Sequence, residues 1–220
     1  MNESAQGTTR VLLVDDHPVV RQGLARLLAD LPGVEVCGEA EDAAGILAQL
    51  AEKQPDLVIL DLSLKDTRGI DVIRQIRALY KKVKLLVCSM HDENIYAERA
   101  LQAGALGYIT KGAPPARIFQ AIRRVMEGKV YLSPELSERL LARMTGSNAG
   151  GIRTSLDLLS DRELEVFELL GQGRTTRQIA ETLYLSVKTI ETYRENLKIK
   201  LGLNNSAELI RAAVLWLESR

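Results

Sequence analysis

The chain reads Arg10-Val-Leu-Leu-Val-Asp-Asp16 near its start, so that four apolar residues lead directly into two acids. A short apolar run of this kind is typical of a strand that is buried on both faces, as in a parallel sheet. Four further runs follow, at residues 34–37, 57–60, 84–88 and 105–109. Amphipathic stretches after the strands predict helices at about 17–30, 42–53, 69–79, 93–102 and 114–126. The alternation predicts an α/β domain built on a doubly wound, five-stranded parallel sheet.

The strand pattern stops after Gly128. A helix is predicted over about 134–144, and the turn-forming run at 145–151 predicts a flexible linker. Four helical segments follow, and each begins with a residue that can cap it. The capping residues are Ser160 with Glu163, Thr175 with Gln178, Ser186, and Asn205 with Glu208. We therefore predict a first domain over 9–128, a linker with one helix over 129–155, and an all-α four-helix domain over 156–218.

Bulk composition limits the possible classes of protein. Lysine plus arginine and aspartate plus glutamate both number 29, so the formal net charge is zero and gives no global sign of a polyanion partner. Cys37 and Cys88 lie in apolar stretches and are expected to be small buried residues. The apolar runs are too short to span a bilayer, and residues 1–10 lack the apolar core of a signal peptide. We therefore expect a cytoplasmic protein with no membrane partner.

Polar residues follow the predicted strands at one edge of the sheet. Asp15 and Asp16 follow the first strand, Asp61 the third, Ser89 ends the fourth, and Lys111 follows the fifth. For the strand order 2-1-3-4-5, ligands bind where the order reverses, between strands one and three. Carboxylates that meet there repel one another unless a cation intervenes, and oxygen ligands suit Mg²⁺. Taken one by one these residues also fit solvated loops, but their shared position predicts Mg²⁺-assisted phosphoryl transfer to Asp61.

Residues 9–128 resemble the receiver domain of response regulators, which has a flavodoxin-like fold. The likeness rests on Leu13-Val-Asp-Asp16, on Asp61-Leu62 followed by Gly69, on Ser89 after strand four, and on Lys111 after Tyr108. The resemblance implies that Asp61 accepts the phosphoryl group. It also implies that Asp15, Asp16 and the carbonyl of Ser63 bind Mg²⁺ together with Asp61, that Ser89 and Lys111 contact the phosphoryl group, and that Tyr108 changes rotamer when the site is occupied. The positions of Ser63 and His91 vary in that family and tune dephosphorylation.

The second domain contains the outline of a helix-turn-helix, whose second helix enters the major groove of DNA. Its helices are predicted at 175–183 and 186–201. Between Arg174 and Lys200 the sequence contains six cations and three acids. Ile190, Leu197 and Leu201 recur at helical spacing and should face the core with Tyr193 beside them. The outward residues are then Lys188, Glu191, Thr192 and Glu195. A solvated helix face explains the same pattern, so both interpretations stay open on the residues alone.

Residues 156–218 resemble the LuxR-type helix-turn-helix domain. The likeness rests on Leu159-Ser-Asp-Arg-Glu163, on Ile179-Ala180 and on Thr189-Ile-Glu-Thr-Tyr193. The residues expected to contact DNA are Arg174, Thr175, Arg177, Lys188, Thr189, Glu191, Thr192, Arg194, Glu195, Lys198 and Lys200. Glu191 stands where that family frequently has lysine, which predicts a different operator sequence.

A receiver followed by such a domain is the NarL/FixJ arrangement of response regulators. It implies that a sensor histidine kinase or a small phosphodonor phosphorylates Asp61, and that the unphosphorylated receiver masks the DNA helix. Phosphorylation then favours a homodimer on double-stranded promoter DNA. Beyond its own phosphoryl transfer and dephosphorylation, no enzymatic activity is expected.

Two other classes compete with this hypothesis. One is a hydrolase that uses Asp61 as its nucleophile, which is disfavoured because Ser63 stands where such hydrolases carry a second acid. The other is a constitutive DNA-binding protein whose receiver serves only for dimerisation.

Overall fold

The computed structural model describes residues 8–64, 67–144 and 155–218. The chain divides into two compact units, Met1–Ser147 and Asn148–Arg220. Within the described ranges, no helix is both long and apolar enough to cross a membrane.

The first unit contains a five-stranded parallel sheet in the order β2-β1-β3-β4-β5, which confirms the predicted doubly wound fold. The strands are β1 (Thr9–Val14), β2 (Val34–Ala40), β3 (Leu57–Leu60), β4 (Lys84–Ser89) and β5 (Gly107–Thr110). The helices between and after them are α1 (Pro18–Ala29), α2 (Ala43–Lys53), α3 (Gly69–Leu79), α4 (Glu93–Ala103) and α5 (Pro115–Met126).

Burial of the sheet on both faces explains the continuous apolar runs. Val11 and Leu13 pack in one core cluster with Leu28 of α1 and Ile118 of α5. Leu12, between them in sequence, points to the other face because side chains alternate along a strand, and it is also fully buried. Each such side chain stabilises the fold by about 1.5–3 kcal/mol relative to an exposed one.

Strand β2 extends three residues beyond its predicted end. Val11 pairs with Val36 and Leu12 with Gly38, so Cys37 is an extra residue in the ladder. The irregularity and the half-buried edge position break the apolar pattern that marks the inner strands. For the same reason Cys37 is only half-buried, which corrects the expectation of a buried residue, whereas Cys88 is buried and burial raises the pKa of its thiol to about 12.

The chain after α5 remains attached to the sheet. Tyr131 forms a parallel bridge with Gly107, donating its N–H to Leu106 O at 2.9 Å and accepting from the N–H of Tyr108 at 3.0 Å. Helix α6 (Pro134–Met144) follows at the predicted residues, and Leu136 on it is buried. The first part of the predicted linker therefore packs within the first unit. The turn-forming run at 145–151 lies outside the described residues.

The second unit is helical. A short 3-10 helix (Ser155–Leu158) precedes α7 (Asp161–Gly171), α8 (Thr176–Thr182), α9 (Val187–Leu201) and α10 (Ser206–Glu218). The predicted caps are confirmed, because Ser160 and Thr175 form reciprocal capping boxes with their partners and Ser186 accepts from the N–H of Thr189. Asn205 accepts from the N–H of Glu208 at 2.9 Å. These caps fix where the four helices begin.

Gly171 marks a close approach between α7 and α10. A Cβ added there would lie 2.6 Å from Ala213 O and 2.7 Å from Leu217 Cδ1. We therefore expect Gly171→Ala to destabilise the second unit by roughly 1–3 kcal/mol, as overpacking does. Urea unfolding followed by the fluorescence of Trp216, the single tryptophan of the chain, measures this.

The matched control is Gly23→Ala in α1, where no described atom lies within 4 Å of an added Cβ. Alanine has a higher helix propensity than glycine, so this variant should leave the Trp216 transition unchanged and make the first unit, followed by far-UV circular dichroism, neutral or up to about 1 kcal/mol more stable. An unchanged Trp216 midpoint in Gly171→Ala would contradict the packing described here.

Candidate functional site

The acidic residues predicted at the sheet edge lie together. Val14 pairs with Leu60, so the residues that follow β1 and β3 are neighbours, and Asp61 donates its backbone N–H to Val14 O at 2.8 Å. Asp15 and Asp61 are buried, and Asp16 is partly exposed. The three carboxylates thus occupy the point where the strand order reverses.

Lys111 lies between two of these carboxylates. Its Nζ is 2.6 Å from Asp15 Oδ2 and 2.7 Å from Asp61 Oδ2. Its position follows from β5, since its backbone N–H donates to Ser89 O at 2.9 Å. Burial alone would lower the pKa of Lys111, but the hydrogen bonds to Asp15 and Asp61 outweigh it and raise the pKa above its ordinary value. Lys111 is therefore a cation that offsets part of the negative charge.

Two buried oxygens at this edge have no hydrogen bond from any residue that the structure describes: Asp61 Oδ1 and Asp16 Oδ1. His17 Nδ1 lies at ion-pair distance from Asp16 Oδ1, 2.6 Å away. A buried oxygen without a partner is costly, and carboxylate oxygens are the ligands that Mg²⁺ prefers. One ligand atom from each of Asp15, Asp16, His17 and Asp61 lies within 4.8 Å of the others. The residues present therefore fit a divalent cation.

Ser89 and Tyr108 are both fully buried beside this edge. The hydroxyl of Tyr108 donates to the carbonyl of His91 at 2.9 Å, and burial raises the pKa of that hydroxyl. Ser89 Oγ accepts from the N–H of His91 at 3.4 Å. Tyr108 thus points inward and is linked to the loop that leads into α4.

His91 has more contacts than its loop position suggests. Its Nε2 lies 3.1 Å from Ser63 Oγ, in the segment after Asp61, and its ring is 4.5 Å from that of Tyr96 on α4. The resemblance gave His91 only a variable position that tunes dephosphorylation, and the sequence pattern assigned nothing to His17. Neither histidine lies in a periodic pattern, so only their spacing from the acids could have indicated them. The role of the Ser63 carbonyl as a metal ligand stays a prediction.

The burial of side chains on α9 agrees with the inward and outward positions that helical spacing predicts. Ile190 and Leu197 are fully buried, and Tyr193 and Leu201 are half-buried. The four residues predicted to point outward, Lys188, Glu191, Thr192 and Glu195, are all exposed. Arg174, Thr175 and Arg177 are exposed as well, near the start of α8. The second unit therefore presents a polar face on two adjacent helices.

Several of the predicted DNA contacts are bonded within the unit itself, among them Arg194, Lys198 and Lys200. Arg194 donates to Thr176 Oγ1 and links α9 to α8. Lys198 pairs with Glu195 at 2.9 Å. Lys200 donates to Glu163 Oε2 at 2.6 Å and to Leu158 O at 3.2 Å. Arg194 and Lys200 therefore link α9 to α8 and α7, which helical periodicity alone does not reveal, whereas the pair of Lys198 and Glu195 lies within α9.

The pair of Glu163 and Lys200 should make the second unit sensitive to acid. Burial alone would raise the pKa of Glu163, but its bonds with Lys200 and Ser160 lower the pKa below its ordinary value. A carboxyl whose pKa is lower when folded contributes stability above its unfolded pKa, and this contribution is lost as the pH falls through the folded value. We expect Lys200→Met to weaken the unit by roughly 1 kcal/mol at pH 7, since Lys200 is partly exposed and screened, and to flatten the loss in acid.

Trp216 fluorescence in urea, measured between neutral pH and about pH 3, follows this effect. Lys198→Met is the control, because its partner Glu195 is exposed. Parallel pH profiles for Lys200→Met and the unaltered protein would count against the pairing.

Each of the two units matches a known protein family. Residues 11–123 match the family described as the response regulator receiver domain. Residues 157–213 match the family described as bacterial regulatory proteins, luxR family.

Relatives match along nearly the whole chain. The transcriptional activator protein ExaE of Pseudomonas putida is 39% identical over 207 residues, which is 93% of this chain and 95% of that protein. The response regulator GacA of Pseudomonas viridiflava is 35% identical over 205 residues, with the same coverage. A structure of RcsB from Salmonella enterica serovar Typhimurium, bound to promoter rprA in the presence of phosphomimetic BeF3-, is 27% identical, with a TM-score of 0.65 over 93% of this chain and 98% of that chain.

The fold, the acidic edge and the helix-turn-helix define a two-component response regulator. The chain belongs to the NarL/FixJ type of that family, in which a receiver precedes a LuxR-type DNA-binding domain.

Proposed function

We propose that the protein regulates transcription by binding promoter DNA in response to Mg²⁺-dependent phosphorylation of Asp61. The main observation behind the proposal is the way in which the two oxygens of the Asp61 carboxylate are bonded. Asp61 is buried, one of its oxygens is bonded to Lys111, and none of the described residues bonds the other. A group with one neutralised and one free oxygen is suited to accept a phosphoryl group.

In phosphoryl transfer to Asp61, the protein mainly positions the reacting groups and neutralises charge. A carboxylate oxygen of Asp61 bonds to phosphorus, the bond to the donor's leaving group breaks, and that group departs with the electron pair. Lys111 would offset charge on the transferring oxygens, and the Ser89 hydroxyl lies at the end of β4 on the same edge. Mg²⁺ held by Asp15, Asp16 and Asp61, with the Ser63 carbonyl, would supply further neutralisation. The donor would be a sensor histidine kinase or a small phosphodonor in the cytoplasm.

The new charge would act through Tyr108. Its hydroxyl is bonded to the carbonyl of His91, so a change of rotamer would release the loop before α4. The unphosphorylated receiver would mask α9, and the phosphorylated one would favour a homodimer on double-stranded DNA. RcsB supports this direction, because structures describe it with a promoter in the presence of a phosphomimetic and as dimers on DNA.

Recognition of DNA is assigned to the exposed polar face of α8 and α9. Lys188 would neutralise phosphates, while Glu191 and Thr192 on the outward face of α9 would meet base edges. Because an acidic side chain accepts from the amino group of cytosine, Glu191 favours an operator different from one read by lysine. Among the remaining predicted contacts, Thr189, Arg194, Lys198 and Lys200 are secondary, since the first three are partly buried and Lys200 is bonded to the buried Glu163.

Phosphorylation and DNA selection together test the proposal. The full-length protein is incubated with acetyl phosphate, with either Mg²⁺ or EDTA, and its intact mass is measured. Both samples then select from a pool of random DNA duplexes. We expect one phosphoryl adduct with Mg²⁺, none with EDTA, and stronger enrichment of one motif by the phosphorylated protein. Equal enrichment in both samples without any adduct would favour constitutive DNA binding instead.

A further inference from the structure

We propose that His17 is a nitrogen ligand of the metal site, so that the site takes first-row transition ions such as Mn²⁺ more tightly than its oxygens alone would allow. The inference rests on the proposed function only in placing a cation at Asp15, Asp16 and Asp61. It adds a residue outside that carboxylate set, and it changes the class of ion that the site selects.

The backbone directs His17 toward the acids. His17 is the N-cap residue of α1, with extended φ and ψ of −98° and 107°, and Pro18 follows it. Its N–H donates to Asp15 Oδ1 at 2.9 Å. Among the described residues, the imidazole does not cap the helix, and its Nδ1 lies 3.3 Å from Asp15 Oδ1 and 2.6 Å from Asp16 Oδ1. The ring therefore lies over the acidic pair.

The distances suit one shared ion. The four potential ligand atoms of Asp15, Asp16, His17 and Asp61 lie within 4.8 Å of one another. Ligands about 2.0–2.2 Å from a metal are at most roughly 4.4 Å apart, so a small adjustment brings all four into range. Asp61 Oδ1 is buried, has no hydrogen bond in the described part of the chain, and belongs to this group of residues. This unbonded oxygen is a second observation, independent of the clustering of acids, that points to a bound ion.

The chemistry of the donor set decides which ion fits. Carboxylate oxygens suit Mg²⁺, whereas an imidazole suits transition ions and adds affinity in the order Mn²⁺, Co²⁺, Ni²⁺. His17 Nδ1 lies beside Asp15 Oδ1 and beside Asp16 Oδ1, an oxygen that has no hydrogen bond from the described residues. The geometry therefore places a nitrogen donor next to the carboxylate oxygens that would hold the ion.

The chain has two histidines, so a nitrogen signal can be assigned by substitution. The full-length protein is loaded with Mn²⁺ and studied by pulsed electron paramagnetic resonance, which detects the ¹⁴N coupling of a ligated imidazole. We expect the coupling in the unaltered protein and in His91→Gln, and its loss in His17→Gln. Circular dichroism checks that each variant is folded.

Affinity gives a second, independent readout. Titration of free Mn²⁺, with Mg²⁺ as competitor, yields the ratio of the two affinities. We expect His17→Gln to lower the preference for Mn²⁺ over Mg²⁺ by roughly tenfold, which corresponds to one added ligand of modest strength. A bound Mn²⁺ without ¹⁴N coupling, or an equal loss of Mn²⁺ and Mg²⁺ affinity in His17→Gln, would overturn the proposal.

Failure of the inference is distinguishable from failure of the proposed function. Phosphoryl uptake by the unaltered protein with Mg²⁺ alone tests the function and does not depend on a nitrogen ligand. If that uptake occurs and the ¹⁴N coupling is absent, only the role of His17 falls. If Mn²⁺ binds equally well to the unaltered protein and to Asp61→Asn, the ion lies elsewhere and the inference is wrong.

Discussion

Asp61→Asn is expected to take up no phosphoryl group from acetyl phosphate and Mg²⁺. An amide is a poor nucleophile and cannot form the acyl phosphate, whereas its shape preserves the packing around Lys111. The change also removes one of two carboxylates that share the Lys111 ammonium, so the variant should fold at least as well as the unaltered protein. Intact mass spectrometry after incubation gives a direct answer, and circular dichroism confirms the fold.

The matched control lies at the other end of the same strand. Asp56 precedes β3, is exposed, and accepts a hydrogen bond from the N–H of Arg10 at 2.9 Å. Asp56→Asn makes the same chemical change far from the acidic edge, so it should be phosphorylated to the normal extent. An adduct of equal yield on Asp61→Asn would move the acceptor to another residue.

Lys111→Met is expected to lower the free energy of unfolding of the first unit by about 3–5 kcal/mol in the absence of divalent ions, which is the range for removing one partner of a buried ion pair. Methionine has a similar length and leaves no large cavity, so the loss is electrostatic. It leaves Asp15 and Asp61, both buried, with uncompensated charge. Added Mg²⁺ should restore part of the loss, because it replaces the missing cation.

Two probes separate the units in this measurement. Trp216 lies in the second unit, so its fluorescence should show an unchanged urea transition in Lys111→Met. Far-UV circular dichroism follows both units and should show an earlier transition for the first. Lys129→Met is the control, because Lys129 and its partner Glu127 are both exposed and should matter little. If Lys111→Met unfolds like the unaltered protein in EDTA, Lys111 is not the cation that offsets these carboxylates.

The topology made the acidic edge predictable. Once the apolar runs define five parallel strands, the residues after strands one, three and five must lie at one edge, which brings Asp15, Asp61 and Lys111 together. Burial on both faces makes such runs continuous, so the inner strands were placed almost to the residue. Strand β2 is at an edge and contains the extra Cys37, so its pattern was too weak to show its full length.

Side-chain contacts between helices and strands could not be predicted from the sequence pattern. The hydrogen bonds of Arg194 and Lys200 depend on which helix lies beside α9, and helical spacing does not give this. The direction of the His17 ring depends on the backbone at the start of α1. Tyr131 pairs with β5 through too few residues to form a periodic pattern, so the segment after Gly128 looked like the start of a linker.

That pairing of Tyr131 bears on how the receiver can be cut from the chain. A fragment that ends at Gly128 would remove the partner of the Tyr108 N–H and of the Leu106 carbonyl, and it would expose the core where Tyr131 packs. The outer edge of β5 would then present unpaired backbone groups, a template on which a second copy could add a strand and begin to aggregate. The segment that leads to the DNA-binding domain therefore also protects the receiver's sheet from self-association.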